Sequence, residues 1–283
     1  MAGMNLMKRH ILVILLLAAQ AVYGHADDPT QAAIVATNQL AAGNSNAPAI
    51  VAVAGNAGTP SAHTAVTDKP VWESSISAGL SLMKGNSDTL LTTAAFKTRK
   101  KSPDNEFMFS MEGSYGKNNS VENNEMLHGV GQYNHLFSER FYGFFNVEGL
   151  HDGIADLQYR FTLSPGAGYY FTKTTNTTFA VETGPGLIFQ RLGGADTAYE
   201  SLRLAERFER KLNNGARLWQ KAEVLPQVDK FDNYLVNAEI GAEALLTKTI
   251  SLRLSVQDNF VNEPAPGRKD NDVKIISGLV YKF

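Results

Sequence analysis

The chain has 283 residues, 43% of them hydrophobic, and its 26 basic and 28 acidic residues give a formal net charge of −2. This near balance leaves no basic excess for binding nucleic acid, and the absence of cysteine excludes disulfides, thiol chemistry and cysteine-ligated metal centres. The glycine-rich stretches GAGYYF and GPG open no helical pattern. They therefore do not predict a phosphate loop, and we expect no cofactor.

The N-terminal segment, residues 1–26, has the pattern of a secretory signal peptide. Lys8 and Arg9 precede an apolar run at residues 11–19, and small residues follow the run. A transmembrane helix needs about 20 apolar residues, so this run is too short to span a bilayer, but it fits the hydrophobic region of a signal peptide. We expect cleavage after Ala26, with Gly24 as the second choice.

Residues 27–70 differ in composition from everything that follows. They are rich in Ala, Asn, Thr, Gly and Pro and contain no aromatic residue. Such a segment buries too little apolar area to offset the entropy lost when a chain becomes ordered. The composition predicts a flexible periplasmic tether, and a short Ala-rich helix around residues 31–42 is the alternative.

From Trp72 onward, apolar residues alternate with polar or small ones. Phe161 and Leu163, for example, share one parity, and Arg160 and Thr162 share the other. Side chains of a β-strand point to opposite faces with a period of two, so the pattern predicts strands with one apolar and one polar face. About twelve strands are predicted, at residues 73–84, 89–101, 105–117, 125–137, 140–151, 157–171, 177–190, 199–212, 216–229, 233–246, 250–261 and 272–283.

The lengths of these strands and of their connections favour a membrane barrel over a soluble sandwich. Strands of soluble proteins usually have about 5–6 residues, whereas a strand that crosses a membrane needs roughly 9–11. The connections after even-numbered strands are short, and those after odd-numbered strands are mostly longer, as in residues 117–124, 151–157, 191–199 and 262–270. Outer-membrane barrels have short periplasmic turns and longer external loops. We therefore predict an all-β fold at residues 71–283, a transmembrane antiparallel up-and-down β-barrel of about twelve strands in the bacterial outer membrane.

The polar parity of the strands carries charged residues of both signs. In a membrane barrel the apolar face contacts lipid and the polar face lines the interior, so these charges are expected to line the lumen. They would pair into a polar plug or, if unpaired, create a selectivity field. The passive channel for small solutes or ions and the structural envelope protein therefore both stay open. The candidate lumen charges are Glu112, Arg160, Glu182, Arg203, Arg207, Glu223, Glu239, Glu243 and Arg253.

The last strand ends with two outward-facing aromatic residues. Tyr281 and Phe283 share the apolar parity and are expected in the periplasmic aromatic girdle. With Gly278 they resemble the C-terminal signal that the β-barrel assembly machinery recognises, although Ile276 stands where that signal usually has a polar residue. The expected partners are this machinery, outer-membrane lipid and lipopolysaccharide, and small solutes or ions.

Residues 72–283 resemble the YdiY-like, salt-induced outer-membrane proteins, a family classified as a domain of unknown function. The resemblance rests on the order of several short motifs along the chain. It implies an outer-membrane barrel with a role in envelope or osmotic stress, without an assigned activity and without catalytic residues. The motifs are Trp72, Gly79, GNS at residues 85–87, Arg160, PGAGY at residues 165–169, Asp272 and the final GLVYKF.

An outer-membrane lipid-modifying hydrolase is the alternative function, because some barrels of this size use Ser and His near the outer rim. By parity, His128 is expected to face the lumen and His135 to face outward near the periplasmic end. His151 lies at an external strand end beside Asp152. A neighbouring His and Asp do not make a triad, and no serine is placed to act with them. We therefore expect no catalytic residue and no metal ligand.

Overall fold

A computed structural model of the chain describes residues 71–83, 89–212 and 215–283. The expected signal peptide and periplasmic tether lie outside these residues. The first strand begins at Val71, where the tether was expected to end. No helix in the described part of the chain is long and apolar enough to cross a membrane.

The described residues form a closed barrel in which every strand pairs antiparallel with its neighbours in sequence, and the first strand pairs with the last. The prediction of an antiparallel up-and-down barrel of about twelve strands is confirmed. The strands are β1 (Val71–Met83), β2 (Thr89–Lys101), β3 (Asn105–Asn118), β4 (Val121–Leu136), β5 (Phe141–Asp152), β6 (Leu157–Lys173), β7 (Thr177–Leu192), β8 (Ala195–Lys211), β9 (Ala216–Pro226), β10 (Tyr234–Leu245), β11 (Ile250–Val261) and β12 (Asn271–Lys282).

Three of the short turns after even-numbered strands are closed by hydroxyl side chains. The Ser138 hydroxyl accepts a hydrogen bond from the Phe141 amide at 3.0 Å. Thr174 and Thr247 make the same bond, each at 3.0 Å, to the amide three residues later. Such Ser and Thr side chains offer the backbone a local partner that favours a turn. The sequence therefore ends each of these strands at one edge of the barrel, which we assign to the periplasmic side.

The external connections are shorter than the sequence predicts. The segments 117–124 and 191–199 are mostly strand, and the turns between them shrink to residues 119–120 and 193–194. Gly193 and Gly194 have φ of +58° and +78°, which glycine adopts without the cost that a side chain brings. The prediction of long loops at these sites is wrong because their polar side chains are compatible with strands that continue beyond the apolar band. Only residues 227–233 and 262–270 form longer connections among the described external turns.

The two faces of the barrel have opposite chemistry. Large apolar side chains such as Leu80, Phe161 and Ile275 are exposed on the outside, while Tyr142 and Tyr170 are buried inside. A soluble sandwich would bury its apolar face, so the arrangement is that of a barrel whose outer surface contacts lipid. The interior of the barrel, the lumen, therefore holds most of its polar chemistry.

Candidate functional site: the charged lumen

The structure places all nine candidate lumen charges on the inward parity of their strands. For six of them the evidence includes contacts between strands that are not neighbours, since such contacts can run only through the interior. Glu112 on β3, for example, accepts a hydrogen bond from Gln257 on β11 at 3.3 Å. Arg160, Glu223 and Glu239 contact neighbouring strands and are placed by the alternation of their own strands. The nine charges do not act alike, because some lie in a dense network and others face more open space.

Glu182 is the centre of the densest part of the lumen. One of its oxygens accepts hydrogen bonds from the Gln132 amide and the Tyr142 hydroxyl, both at 2.8 Å. The other accepts one from the Arg203 guanidinium at 2.9 Å, and Arg207 lies 3.8 Å from the first oxygen. Glu182 is 5% exposed and Arg203 is 7% exposed. A buried charge is tolerated only when it is paired and hydrogen-bonded, so this carboxylate and its donors hold strands β4, β5, β7 and β8 together from inside.

Glu223 extends this network, and Arg160 forms a separate pair on the same wall. Arg203 donates from its Nε atom to Glu223 at 2.5 Å, and the Asn237 amide donates to the other oxygen of Glu223 at 3.3 Å. Arg160 donates to Gln190 at 2.8 Å. The wall formed by β4–β9 is therefore filled by interlocked polar side chains.

A second cluster surrounds Glu243 near the periplasmic end. This carboxylate contacts Arg253 at 2.8 Å, Arg217 at 3.0 Å and Lys282 at 2.5 Å. The guanidinium groups of Arg217 and Arg253 lie 5.2 Å and 5.6 Å from the centre of the Trp219 ring, within the range of a cation–π contact. Glu243 thus pairs with three cations that lie on three different strands.

Glu239 lies beside this cluster and has lighter contacts. The Trp219 indole donates to it at 2.7 Å, and the Lys221 ammonium lies 3.9 Å away. Lys221 keeps half of its side chain exposed even though it points inward. This part of the lumen therefore retains space around its charged groups.

His128 lies between two carboxylates inside the barrel, as its parity predicts. Its Nε2 atom is 2.7 Å from Glu148, and its Nδ1 atom is 3.5 Å from Glu112. The remaining two histidines of the barrel point elsewhere. His135 contacts the Asn105 side chain, and His151 contacts the Gln158 carbonyl oxygen at 2.8 Å.

His151 and Asp152 do not work as a pair. Asp152 accepts hydrogen bonds from the Ile154 and Ala155 amides and lies 3.7 Å from Lys274. The structure therefore gives no support to the hydrolase alternative at this site. Within the described residues, no group of three or more His, Asp or Glu side chains is arranged to hold a metal ion.

Several side chains bridge the lumen between distant strands. Arg99 on β2 and Glu209 on β8 lie 4.0 Å apart although their strands are on opposite sides of the barrel. These bridges obstruct the lumen at several heights, and all of them are made by side chains. Further bridges join Tyr170 with Glu106 at 2.7 Å, Arg207 with Met108 at 3.3 Å, Gln257 with Glu112 at 3.3 Å and Lys274 with Asp152 at 3.7 Å.

The sequence prediction missed three basic residues on β2 that also face inward. Lys97, Arg99 and Lys101 occupy alternate positions, so the signal was present in their spacing. Their strand lacks a strongly apolar opposite face, because Thr98 and Lys100 alternate with them. Because the two faces of β2 differ little in polarity, its alternation did not predict that these three basic residues face the lumen.

Alternation is not strict on the outer face. Glu206 lies on the outward parity of β8, between the inward-pointing Ala205 and Arg207, and accepts a hydrogen bond from Gln220 of β9 at 2.7 Å. Glu206 therefore departs from the rule that the outer face of a membrane barrel is apolar. Pairing with a neighbouring amide reduces the cost of placing the carboxylate there.

The residues of the predicted assembly signal lie where β12 meets β1. The rings of Tyr281 and Phe283 stack with their centres 6.0 Å apart on the outer surface. Phe283 exchanges backbone hydrogen bonds with Ser74 of β1, and Gly278 lies against the backbone of Ala78. The aromatic pair therefore lies at the end of the barrel that carries the short turns, and its place in a periplasmic girdle and its recognition by the assembly machinery stay predictions.

Comparison with known proteins gives one family match and a set of similar folds. A family model described as "Protein of unknown function, DUF481" matches residues 76–283. No curated protein matches the chain. The identities to solved structures are so low that the function has to be argued from the lumen. Similar structures include the NanC porin (9% identity, TM-score 0.47, 74% of this chain and 98% of that one), an outer membrane channel from Pseudomonas putida F1 (9%, 0.45, 80% and 100%) and the KdgM porin (13%, 0.40, 75% and 99%).

Proposed function

Since the chain belongs to the DUF481 family of proteins of unknown function, we propose a function from its lumen: a narrow, passive channel of the bacterial outer membrane for small ions or polar solutes. The channel is non-enzymatic, and its own side chains close it. The apolar outer surface supports the location, and the charged interior supports a polar cargo. The resemblance to the YdiY-like, salt-induced proteins adds a role in envelope or osmotic stress to this proposal.

The Arg99–Glu209 bridge is the observation that carries the proposal. It crosses the lumen at 4.0 Å between side chains that are 30% and 22% exposed. A water-exposed ion pair contributes only about 0–1 kcal/mol, so rotation of two side chains is enough to break it. The loop at residues 262–270 reaches the β7–β8 turn, where Ala265 is buried and Pro266 lies next to Gly193, while the bridges along the lumen are made by side chains.

The exposed charges in the lumen favour anions over cations. Lys221, Arg217 and Arg99 are 50%, 32% and 30% exposed, whereas Glu209, Glu112 and Glu239 are 22%, 21% and 17% exposed. The groups that a passing ion meets are thus mainly basic, and a charged lining selects ions of the opposite sign. Arg203 and Arg207 are poorer probes of selectivity than the sequence suggests, because Glu182 already pairs with both.

Single-channel recording in planar bilayers tests the proposal. The wild-type protein is expected to give small current steps with a preference for chloride over potassium. Glu209→Gln removes the partner of Arg99 and should raise the open probability, and Lys221→Glu should shift selectivity toward potassium. Asp196→Asn, which removes an exposed ion pair with Arg191, is the matched control and should behave as the wild type.

A structural envelope protein without conductance is the second candidate. It is favoured by the number of heights at which side chains cross the lumen. Silent bilayers with wild-type protein and with the Glu209→Gln variant would select this role. A conductance that Glu209→Gln and Lys221→Glu leave unchanged would show that ions do not pass these residues.

A further inference from the structure

The connection between β11 and β12, residues 262–270, reaches beyond the hairpin next to it. Ala265 is 3% exposed, although it lies in the middle of this connection. A Cβ atom added to Gly193, in the turn between β7 and β8, would lie 3.4 Å from the Ala265 Cβ atom and 3.2 Å from the Pro266 Cδ atom. Strands β9 and β10 lie between β8 and β11 in the barrel. Residues 262–270, which we call the lid, therefore span the external end of two intervening strands.

The contacts that anchor the lid are weak ones. At its start, the Asn262 amide donates a hydrogen bond to the Tyr234 carbonyl oxygen at 3.1 Å. Glu263 forms an ion pair with Lys230 of the β9–β10 connection, and about half of each side chain is exposed. An ion pair exposed to water contributes little to stability. The two prolines of the lid fix φ at their positions, which makes the segment stiff. The lid can therefore leave the rim without unfolding of the strands on either side of it.

An apolar cluster lies inside the barrel at the end that the lid spans. Its buried members are Ile188, Leu225 and Leu235, which are 0%, 2% and 3% exposed, and Tyr199 and Val261 pack against them. All five lie on the inward parity, which carries charged groups elsewhere in the lumen. Leu225 and Leu235 lie one residue from the external ends of their strands, where water would reach them through an open mouth. Their burial requires a cover at this end, and the lid, which follows Val261 directly, is in the position to provide it.

An ion pair closes the other side of the external mouth. Lys274 of β12 and Asp152 of β5 lie 3.7 Å apart across the lumen, and their side chains are 13% and 14% exposed. The turn that contacts the lid is also tied to this side, because the Gly193 amide donates to the Asp156 carbonyl oxygen at 2.9 Å. The external connections and this ion pair together obstruct the mouth.

We propose that the lid gates the external mouth of the lumen. In its closed position it covers the apolar cluster and keeps water and ions from the charged groups below. Its displacement from the β7–β8 turn opens the mouth. The gate rests on the proposed channel, since it controls entry to the same pathway. It acts in series with the Arg99–Glu209 bridge, which lies near the opposite, periplasmic ends of β2 and β8, so both closures must open for ions to pass.

Thiol labelling of the covered cluster tests the lid without any need for ion passage. Replacing residues 262–269 with Asn-Gly, a pair that forms two-residue hairpin turns, removes the lid and keeps the bond from the Val261 amide to the Asp270 carbonyl oxygen. In nanodiscs, a membrane-impermeant maleimide should label Leu235→Cys at least tenfold faster in the lidless protein than in the protein with its lid. Val121→Cys, at a position that is 69% exposed at the β3–β4 turn, is the matched control and should label equally fast in both. Equal rates at Leu235→Cys would overturn the proposal, and heat-modifiable migration on gels verifies that each variant is folded.

A disulfide that locks the lid tests gating itself, because the natural chain contains no cysteine. Gly193→Cys with Ala265→Cys would place two Cβ atoms 3.4 Å apart, close to the separation of about 3.8 Å in disulfides. Gly193→Cys alone is the control for the strain of a side chain at φ +58°. In planar bilayers the oxidised pair should have an open probability at least tenfold below that of the single variant, and dithiothreitol should restore it.

The two experiments separate failure of the lid from failure of the channel. A conductance that is the same before and after dithiothreitol, although the disulfide has formed, would overturn the gate and leave the channel standing. Silent bilayers with both the wild-type and the lidless protein would contradict the channel. Faster labelling of Leu235→Cys in the lidless protein would then still support closure of the mouth by the lid.

Discussion

Replacing Glu182 with Gln should destabilise the barrel more than any change of an exposed charge. The carboxylate receives the Gln132, Tyr142 and Arg203 donors at 2.8–2.9 Å. The amide of Gln has the same size but lacks the charge, and one of its two arms is a donor. Removing one partner of a buried ion pair costs about 3–5 kcal/mol. Because Arg203 keeps its bond to Glu223, we expect the lower end, about 3 kcal/mol, or roughly a hundredfold in the unfolding equilibrium.

Urea unfolding in detergent micelles, followed by heat-modifiable gel migration and tryptophan fluorescence, measures this loss. Asp196→Asn removes an ion pair whose side chains are about half exposed and should cost less than about 1 kcal/mol. In the Glu182→Gln background, Arg207→Met should cost less than it does alone, because it removes a cation that has already lost its acid. If Glu182→Gln unfolds at the same urea concentration as Asp196→Asn, the lumen network does not stabilise the barrel and the reasoning fails.

Two further predictions concern assembly and strand contact. Deletion of Phe283 should reduce the amount of barrel that reaches the membrane without destabilising barrels that have already folded, which immunoblots of membranes and unfolding curves distinguish; equal membrane levels of the truncated and full chains would refute the assembly role. Gly184→Ala should cost about 1–3 kcal/mol by overpacking, because its Cβ atom would lie 2.7 Å from the Gly166 Cα atom. Gly129→Ala, whose nearest neighbour would be 4.0 Å away, is the control, and similar urea midpoints for both variants would contradict the contact.

The strands could be predicted from the sequence because membrane and lumen impose opposite requirements on successive residues. In β6, Arg160 and Phe161 cannot exchange faces without exposing a guanidinium group to lipid. The alternation of polar and apolar residues is therefore strong in this strand. The β2 and β11 bounds, Thr89–Lys101 and Ile250–Val261, agree with the predicted ones. Beyond the apolar band this requirement ends, and the polar segment 117–124 gave no sign that its strands continue.

The partners of the lumen charges could not be predicted in the same way. Parity places Glu112 and Glu182 inside, but it does not say which distant strand each one reaches. The Arg99–Glu209 bridge depends on the stagger of strands around the barrel and on the reach of two long side chains, neither of which is local in sequence. Glu206 shows that alternation can also fail on the outer face. Its hydrogen bond to Gln220 keeps a carboxylate at a position where the alternation of polar and apolar residues predicts an apolar side chain.

The proposed channel requires that the polar face of the strands points into the lumen and the apolar face into lipid. Single cysteines at positions 160, 161, 162 and 163 of the otherwise cysteine-free chain test it most directly. A membrane-impermeant maleimide should label positions 160 and 162 faster than positions 161 and 163, which a lipid-soluble maleimide should reach from the bilayer. Equally fast labelling of all four positions by the impermeant reagent, or labelling of positions 161 and 163 alone, would contradict the orientation on which the proposed channel depends.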